Sequence, residues 1–96
     1  MRVLWTETAL NQLQAIYNYV AQTSPEYALR LVDRLTKRSI QIATFPFSGR
    51  QVPEYELNEV RQVIQGSYRI IYLINEEKDQ IEVLAVIHSS RKRLDP

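Results

Sequence analysis

The run Tyr68-Arg69-Ile70-Ile71-Tyr72-Leu73-Ile74-Asn75 limits the fold more than any other stretch of the chain. Read as a strand, it places Tyr68, Ile70, Tyr72 and Ile74 on one side and Arg69, Ile71 and Leu73 on the other. Both faces are mostly apolar, which assigns the run to the middle of a sheet. Two further β-rich runs flank it, Glu59 to Gln65 and Gln80 to His88, separated by Gly66-Ser67 and by Glu76-Glu77-Lys78-Asp79. Those turn signals predict an antiparallel meander. In the last run Ile81, Val83, Ala85 and Ile87 alternate with Glu82, Leu84, Val86 and His88.

The N-terminal half supplies what must cover this sheet. Arg2-Val3-Leu4-Trp5 reads as a short strand closed by Thr6, a helix-capping residue with Glu7 in the first turn. Ala9, Leu10, Leu13, Ile16, Tyr17 and Val20 then recur at three- and four-residue steps, predicting an amphipathic helix over 7–22. Ser24-Pro25-Glu26 opens a second helix over 25–44, with Ala28, Leu31, Val32, Leu35, Ile42 and Ala43 on its apolar stripe. Arg30, Asp33, Arg34, Lys37, Arg38 and Gln41 form its wet face, with Asp33 and Lys37 spaced for an i,i+4 pair. Phe45 to Asn58, with Pro46, Gly49 and Pro53, reads as a loop.

The predicted architecture is α+β, in the order β-α-α-β-β-β, with a helical hairpin on one face of a small, mainly antiparallel twisted sheet. The 96 residues form one domain, marginally stable alone and helped by any partner that completes its core. If the helices cover the Ile81/Val83/Ala85/Ile87 side, Leu84 and Val86 fall on a face that nothing else in the chain covers. Such an apolar face marks a binding surface.

The chain has no cysteine, so disulfides and thiolate chemistry are excluded and a reducing, cytoplasmic setting is expected. With a single histidine and no thiol, no metal site or cofactor is expected. No signal peptide or membrane span is read. The net charge of +1 is too small to argue for nucleic-acid binding by the whole molecule.

The Ser24-Pro25 helix start, Phe45-Pro46-x-x-Gly49-Arg50, and above all Tyr68-Arg69-Ile70-Ile71-Tyr72 followed by His88-x-x-Arg91 resemble the RelE/ParE superfamily of bacterial type II toxins. The resemblance runs end to end. It implies a toxin neutralised by a cognate antitoxin, whose acidic C-terminal segment wraps it in a hetero-oligomer. It also implies one of two activities: ParE-like inhibition of DNA gyrase, or RelE-like cleavage of mRNA on the ribosome. An inactive module that only binds antitoxin is a third reading.

For metal-free RNA cleavage, a base, a phosphate-stabilising arginine and an acid are needed. Glu54, Arg61, Arg69, His88 and Arg91 are the candidates for that set, and the resemblance implies that Glu54 and Arg69 fall where a catalytic glutamate and arginine sit in some RelE-like ribonucleases. Against this branch stand the scarcity of lysine (Lys37, Lys78, Lys92) and the near-zero charge, where RelE-like members are strongly basic. The hairpin and the His88-x-x-Arg91 ending resemble ParE more closely. Arg50, Arg61, Arg69, Leu84, Val86, Arg91, Lys92 and Arg93 are the residues expected to meet antitoxin or target. Bland readings compete with these. Arg69 suits a structural arginine that stacks on Tyr68 or Tyr55 or pairs with Glu54, and His88 suits a strand-end histidine that donates to a backbone carbonyl. Trp5, Tyr17, Tyr27 and Tyr72 read as core and core edge.

Overall fold

Thr6 is the first joint of the structure. Its hydroxyl oxygen accepts from the Ala9 amide at 3.2 Å, capping α1 (Glu7–Ala21). The same hydroxyl donates to the Val83 carbonyl at 3.0 Å. One side chain thus ends β1 (Arg2–Trp5), starts the helix and ties both to the last strand. Ser24 accepts from the Tyr27 amide at 3.2 Å and Pro25 opens α2 (Pro25–Ile42), as a capping serine before proline dictates. The computed structural model describes residues 1–90.

After α2 come a single 3₁₀ turn (Pro46–Ser48), β2 (Arg50–Gln51), β3 (Val60–Gln65), β4 (Tyr68–Asn75) and β5 (Gln80–His88). They form a five-stranded sheet in the order β1-β5-β4-β3-β2. β1 runs parallel to β5 and every other pairing is antiparallel. The two-residue strand β2 was not anticipated, because it lies in a segment without periodicity. Gly66, at φ 59°, supplies the left-handed first residue of the two-residue β3–β4 turn.

The helices cover one face of the sheet. Leu13, Leu31, Leu35 and Ile42 pack there with Val63, Ile70, Tyr72, Ile74, Ile81, Val83 and Val86. Trp5 reaches the same layer, donating through Nε1 to the buried Ser39 hydroxyl at 3.2 Å. Asp33 and Lys37 make the expected pair on the wet face at 2.9 Å. Tyr27 departs from its core assignment and is exposed, beneath the Arg30 guanidinium.

The phase of β5 corrects the expected faces. Tyr72 pairs with Val83 but Ile71 pairs with Ala85, leaving Leu84 as an extra residue in a β-bulge. Beyond the bulge every side chain changes side. Val86 therefore turns under α1, 1% exposed, and its amide donates to the Gln12 side chain at 2.9 Å. Ala85 and Ile87 move to the second face. That face is also not bare: Val52 and Tyr55, from the segment before β3, pack on it beside Val60, Ile71, Ala85, Ile87, Leu73 and Leu84.

Candidate functional site

The second face of the sheet holds an arginine in its middle. Arg69 is opposite Ile64 on β3 and Ile87 on β5, and is only 6% exposed. A guanidinium so buried requires partners. Nη1 donates to Gln62 Oε1 at 2.8 Å and Nη2 to Glu54 Oε2 at 3.0 Å. Glu54 is carried over the face by the segment between Val52, buried on the sheet, and Tyr55, whose amide returns to the Val52 carbonyl at 3.0 Å. Around the pair Arg50, Pro53, Gln62, Ile64 and Ser89 line an open groove of about 370 Å³.

The pair is electrostatically settled. The hydrogen bond from Arg69 holds the Glu54 carboxyl below the usual carboxylate range, against burial, which pushes it up. At neutral pH Glu54 is an ionised, engaged carboxylate. A general base works best with a pKa near the operating pH, and this one lies on the wrong side of its ordinary value. Among the described residues no group of three His, Asp or Glu side chains is placed to share a metal ion.

The other expected site residues are dispersed. His88 pairs with Tyr68 across the sheet, on the helix-covered side, and its ring meets that of Tyr68 edge-on at 5.5 Å. It therefore lies on the opposite face from Glu54 and Arg69. Its Nδ1 accepts from the Ser90 amide at 3.2 Å and sits 2.8 Å from the Ser90 hydroxyl, so the expected donation to a backbone carbonyl from that nitrogen is replaced by acceptance. Arg61 pairs in register with Tyr72 and also faces the helix side. Its guanidinium donates to the carbonyls of Asn58 (2.8 Å), Phe47 (3.1 Å) and Gly49 (3.0 Å) and covers the Phe47 ring.

Arg50 is exposed at the groove and Leu84 is half-buried beside Val52 and Tyr55, whereas Val86 is core. Arg91, Lys92 and Arg93 lie outside the described residues. Gln62, Ile64, Pro53 and Ser89 belong to the groove and were not singled out from the sequence. The alternation of Val60, Gln62 and Ile64 contained a signal for two of them, but only once the register across Gly66 is known. A second hollow, of about 470 Å³, lies between the helices at Leu10, Leu13, Tyr17 and Val32 and offers little chemistry.

Comparison with known proteins bears on the family and the fold. A family model described as the ParE toxin of type II toxin-antitoxin system, parDE, matches residues 3–93. Toxin RelE2 of Caulobacter vibrioides is 31% identical over 90 residues, covering 94% of this chain and 97% of that protein. A chain from the chromosomal ParDE toxin-antitoxin system of P. aeruginosa superposes with a TM-score of 0.74 at 24% identity, covering 92% of this chain and 95% of that one. The isolated E. coli RelE toxin superposes with a TM-score of 0.66 at 16% identity, over 94% and 85%. The helical hairpin on a five-stranded mixed sheet is thus the fold of these toxins.

Proposed function

Because the chain belongs to the ParE toxin family of type II toxin–antitoxin systems, within the RelE/ParE superfamily, we propose that it arrests growth by binding DNA gyrase, with no covalent chemistry of its own, until a cognate antitoxin neutralises it. One observation carries the choice of target. The residues that RNA cleavage would need are split across the sheet, with Glu54 and Arg69 locked in an ion pair on one face and His88 on the other. A binding protein needs no such convergence. The groove beside Arg50 and Arg69, with Ile64 at its rim, suits an acidic segment of the antitoxin, and the toxin–antitoxin origin of the P. aeruginosa fold neighbour supports such a partner.

Supercoiling by purified gyrase is the test: inhibition by the free protein, relieved by the antitoxin, is the expected result. Unaffected gyrase together with cuts in ribosome-bound mRNA on primer extension would discard this reading in favour of a RelE-like ribonuclease, which the likeness to RelE2 keeps as the second reading. Growth unaffected by expression would leave an antitoxin-binding module alone.

A further inference from the structure

Arg69 presents a donor that nothing among the described residues uses. The Nε–H and one N–H of Nη2 point the same way along one side of the planar guanidinium, the edge that a carboxylate engages with both oxygens. Glu54 occupies half of it. Its Oε2 takes Nη2 at 3.0 Å, whereas Nε, buried, has no acceptor among the described residues. In a residue only 6% exposed, that is an unmade hydrogen bond of a charged group, which the folded state does not ordinarily leave open. Gln62 occupies the far end through Nη1 and so fixes the plane of the guanidinium. Arg69 lines the groove together with Arg50, Glu54, Ile64 and Ser89, and its Nε is buried at the groove's floor until Glu54 moves.

We propose that Glu54 is a placeholder: a carboxylate side chain of an extended partner segment displaces it and seats both oxygens on Nε and Nη2 of Arg69. The proposal rests on the reading of this groove as the antitoxin surface and adds how the surface is held ready. Exchange of one carboxylate for another never leaves the buried guanidinium without a counter-charge, which would be costly. The released Glu54 remains on a loop turn and can return to solvent.

A peptide fits better than a nucleic acid. Ile64, 50% exposed, adjoins the site and rewards an apolar neighbour of the acidic residue. β2 pairs with β3 only at Gln62 and Arg61, so it leaves the outer edge of Ile64 uncovered for the main chain of an extended segment. Arg50, exposed on the same groove, offers a second cation.

The experiment is titration of the full chain with a blocked peptide of alternating leucine and glutamate, reading the Arg69 Nε–H resonance by NMR and the affinity by calorimetry. The expected result is a downfield shift of that resonance, absent with the leucine–glutamine analogue, and binding about tenfold tighter in Glu54→Gln, which loses the competing charge. Unchanged or weaker binding by a folded Glu54→Gln protein would overturn the proposal. So would a shift of the Nε–H produced by a short RNA but not by the peptide. If that variant does not fold, the wild-type titration decides alone: an unshifted Nε–H at saturating peptide overturns it. The readouts involve neither gyrase nor ribosome, so failure of the target assignment and failure of the placeholder are seen separately.

Discussion

The hydroxyl of Tyr72, in the central strand, donates to the carbonyl of Pro46 at 2.6 Å. Those two residues belong to the two motifs that carry the family resemblance, Tyr68-Arg69-Ile70-Ile71-Tyr72 and Phe45-Pro46-x-x-Gly49-Arg50. The motifs are therefore two halves of one clamp, which Arg61 completes by donating to the carbonyls of Phe47 and Gly49. Their co-occurrence in the chain has a packing reason before it has a functional one.

Replacing Tyr72 with phenylalanine leaves the Pro46 carbonyl without its donor. Urea unfolding should show a loss of about 1–3 kcal/mol. Burial also pushes the Tyr72 hydroxyl above its ordinary pKa, against smaller opposing effects from a Gly49 backbone hydrogen bond and from Arg61 and Arg38. The folded state thus holds the phenolic proton more tightly than the unfolded chain, so stability should fall as pH rises past about 10. Tyr72→Phe should lessen that alkaline loss.

Gly49 is needed for closeness. A Cβ there would lie 2.8 Å from the Gln62 carbonyl and would also press on the Tyr72 hydroxyl. Because one neighbour is main chain and the other is held by Pro46, neither yields freely. Gly49→Ala should cost about 1–3 kcal/mol in the same measurement.

The bulge at Leu84 gives Leu84 and Val86, two residues apart, different roles. Val86→Asp buries an unpaired charge under α1 and should abolish the cooperative unfolding transition, a loss of more than about 4 kcal/mol. Leu84→Asp, at a half-buried position on the second face, should leave a folded protein, read by circular dichroism, with weakened antitoxin binding. Equal loss of fold in both variants would contradict the phase of β5.

Acid should unlatch the groove. Arg69 lowers the pKa of Glu54, and side-chain hydrogen bonds from Gln80 and Asn75 lower that of Glu82. Each folded carboxyl therefore binds its proton less tightly than the unfolded chain does, at about 4.3. Their stabilisation is complete above that value and is lost as pH falls through the lower folded values. Denaturation midpoints followed below pH 5 should decline less steeply in Glu54→Gln than in the wild type.

Local chemistry made much of this legible from the residues alone. Thr6 and Ser24-Pro25 announce their helices because a cap needs only the next turn, and the two-sided apolar character of Tyr68–Asn75 does mark the strand at the centre of the sheet. The pairing of Arg69 with Glu54 was open to the same reasoning, since a charge in a central strand must find its opposite. What escaped depends on register. A single extra residue at Leu84 reverses the sides of Ala85, Val86 and Ile87, and nothing in their alternation signals it. The separation of His88 from Arg69 follows from the same cross-strand register. β2 escaped because two residues carry no period.

The parallel pairing of β1 with β5 joins Arg2 to Gln80 and Trp5 to Val83. Its partners lie far apart in the chain, Arg2 and Gln80 being 78 residues apart. At about 5–20 residues per second, roughly four to sixteen seconds separate the synthesis of the first strand from that of the strand it must join. Until then Leu4 and Trp5 have no sheet to close against, and the helical hairpin has no complete floor. A nascent toxin built this way carries its own delay: its sheet is completed only once β5 has been made.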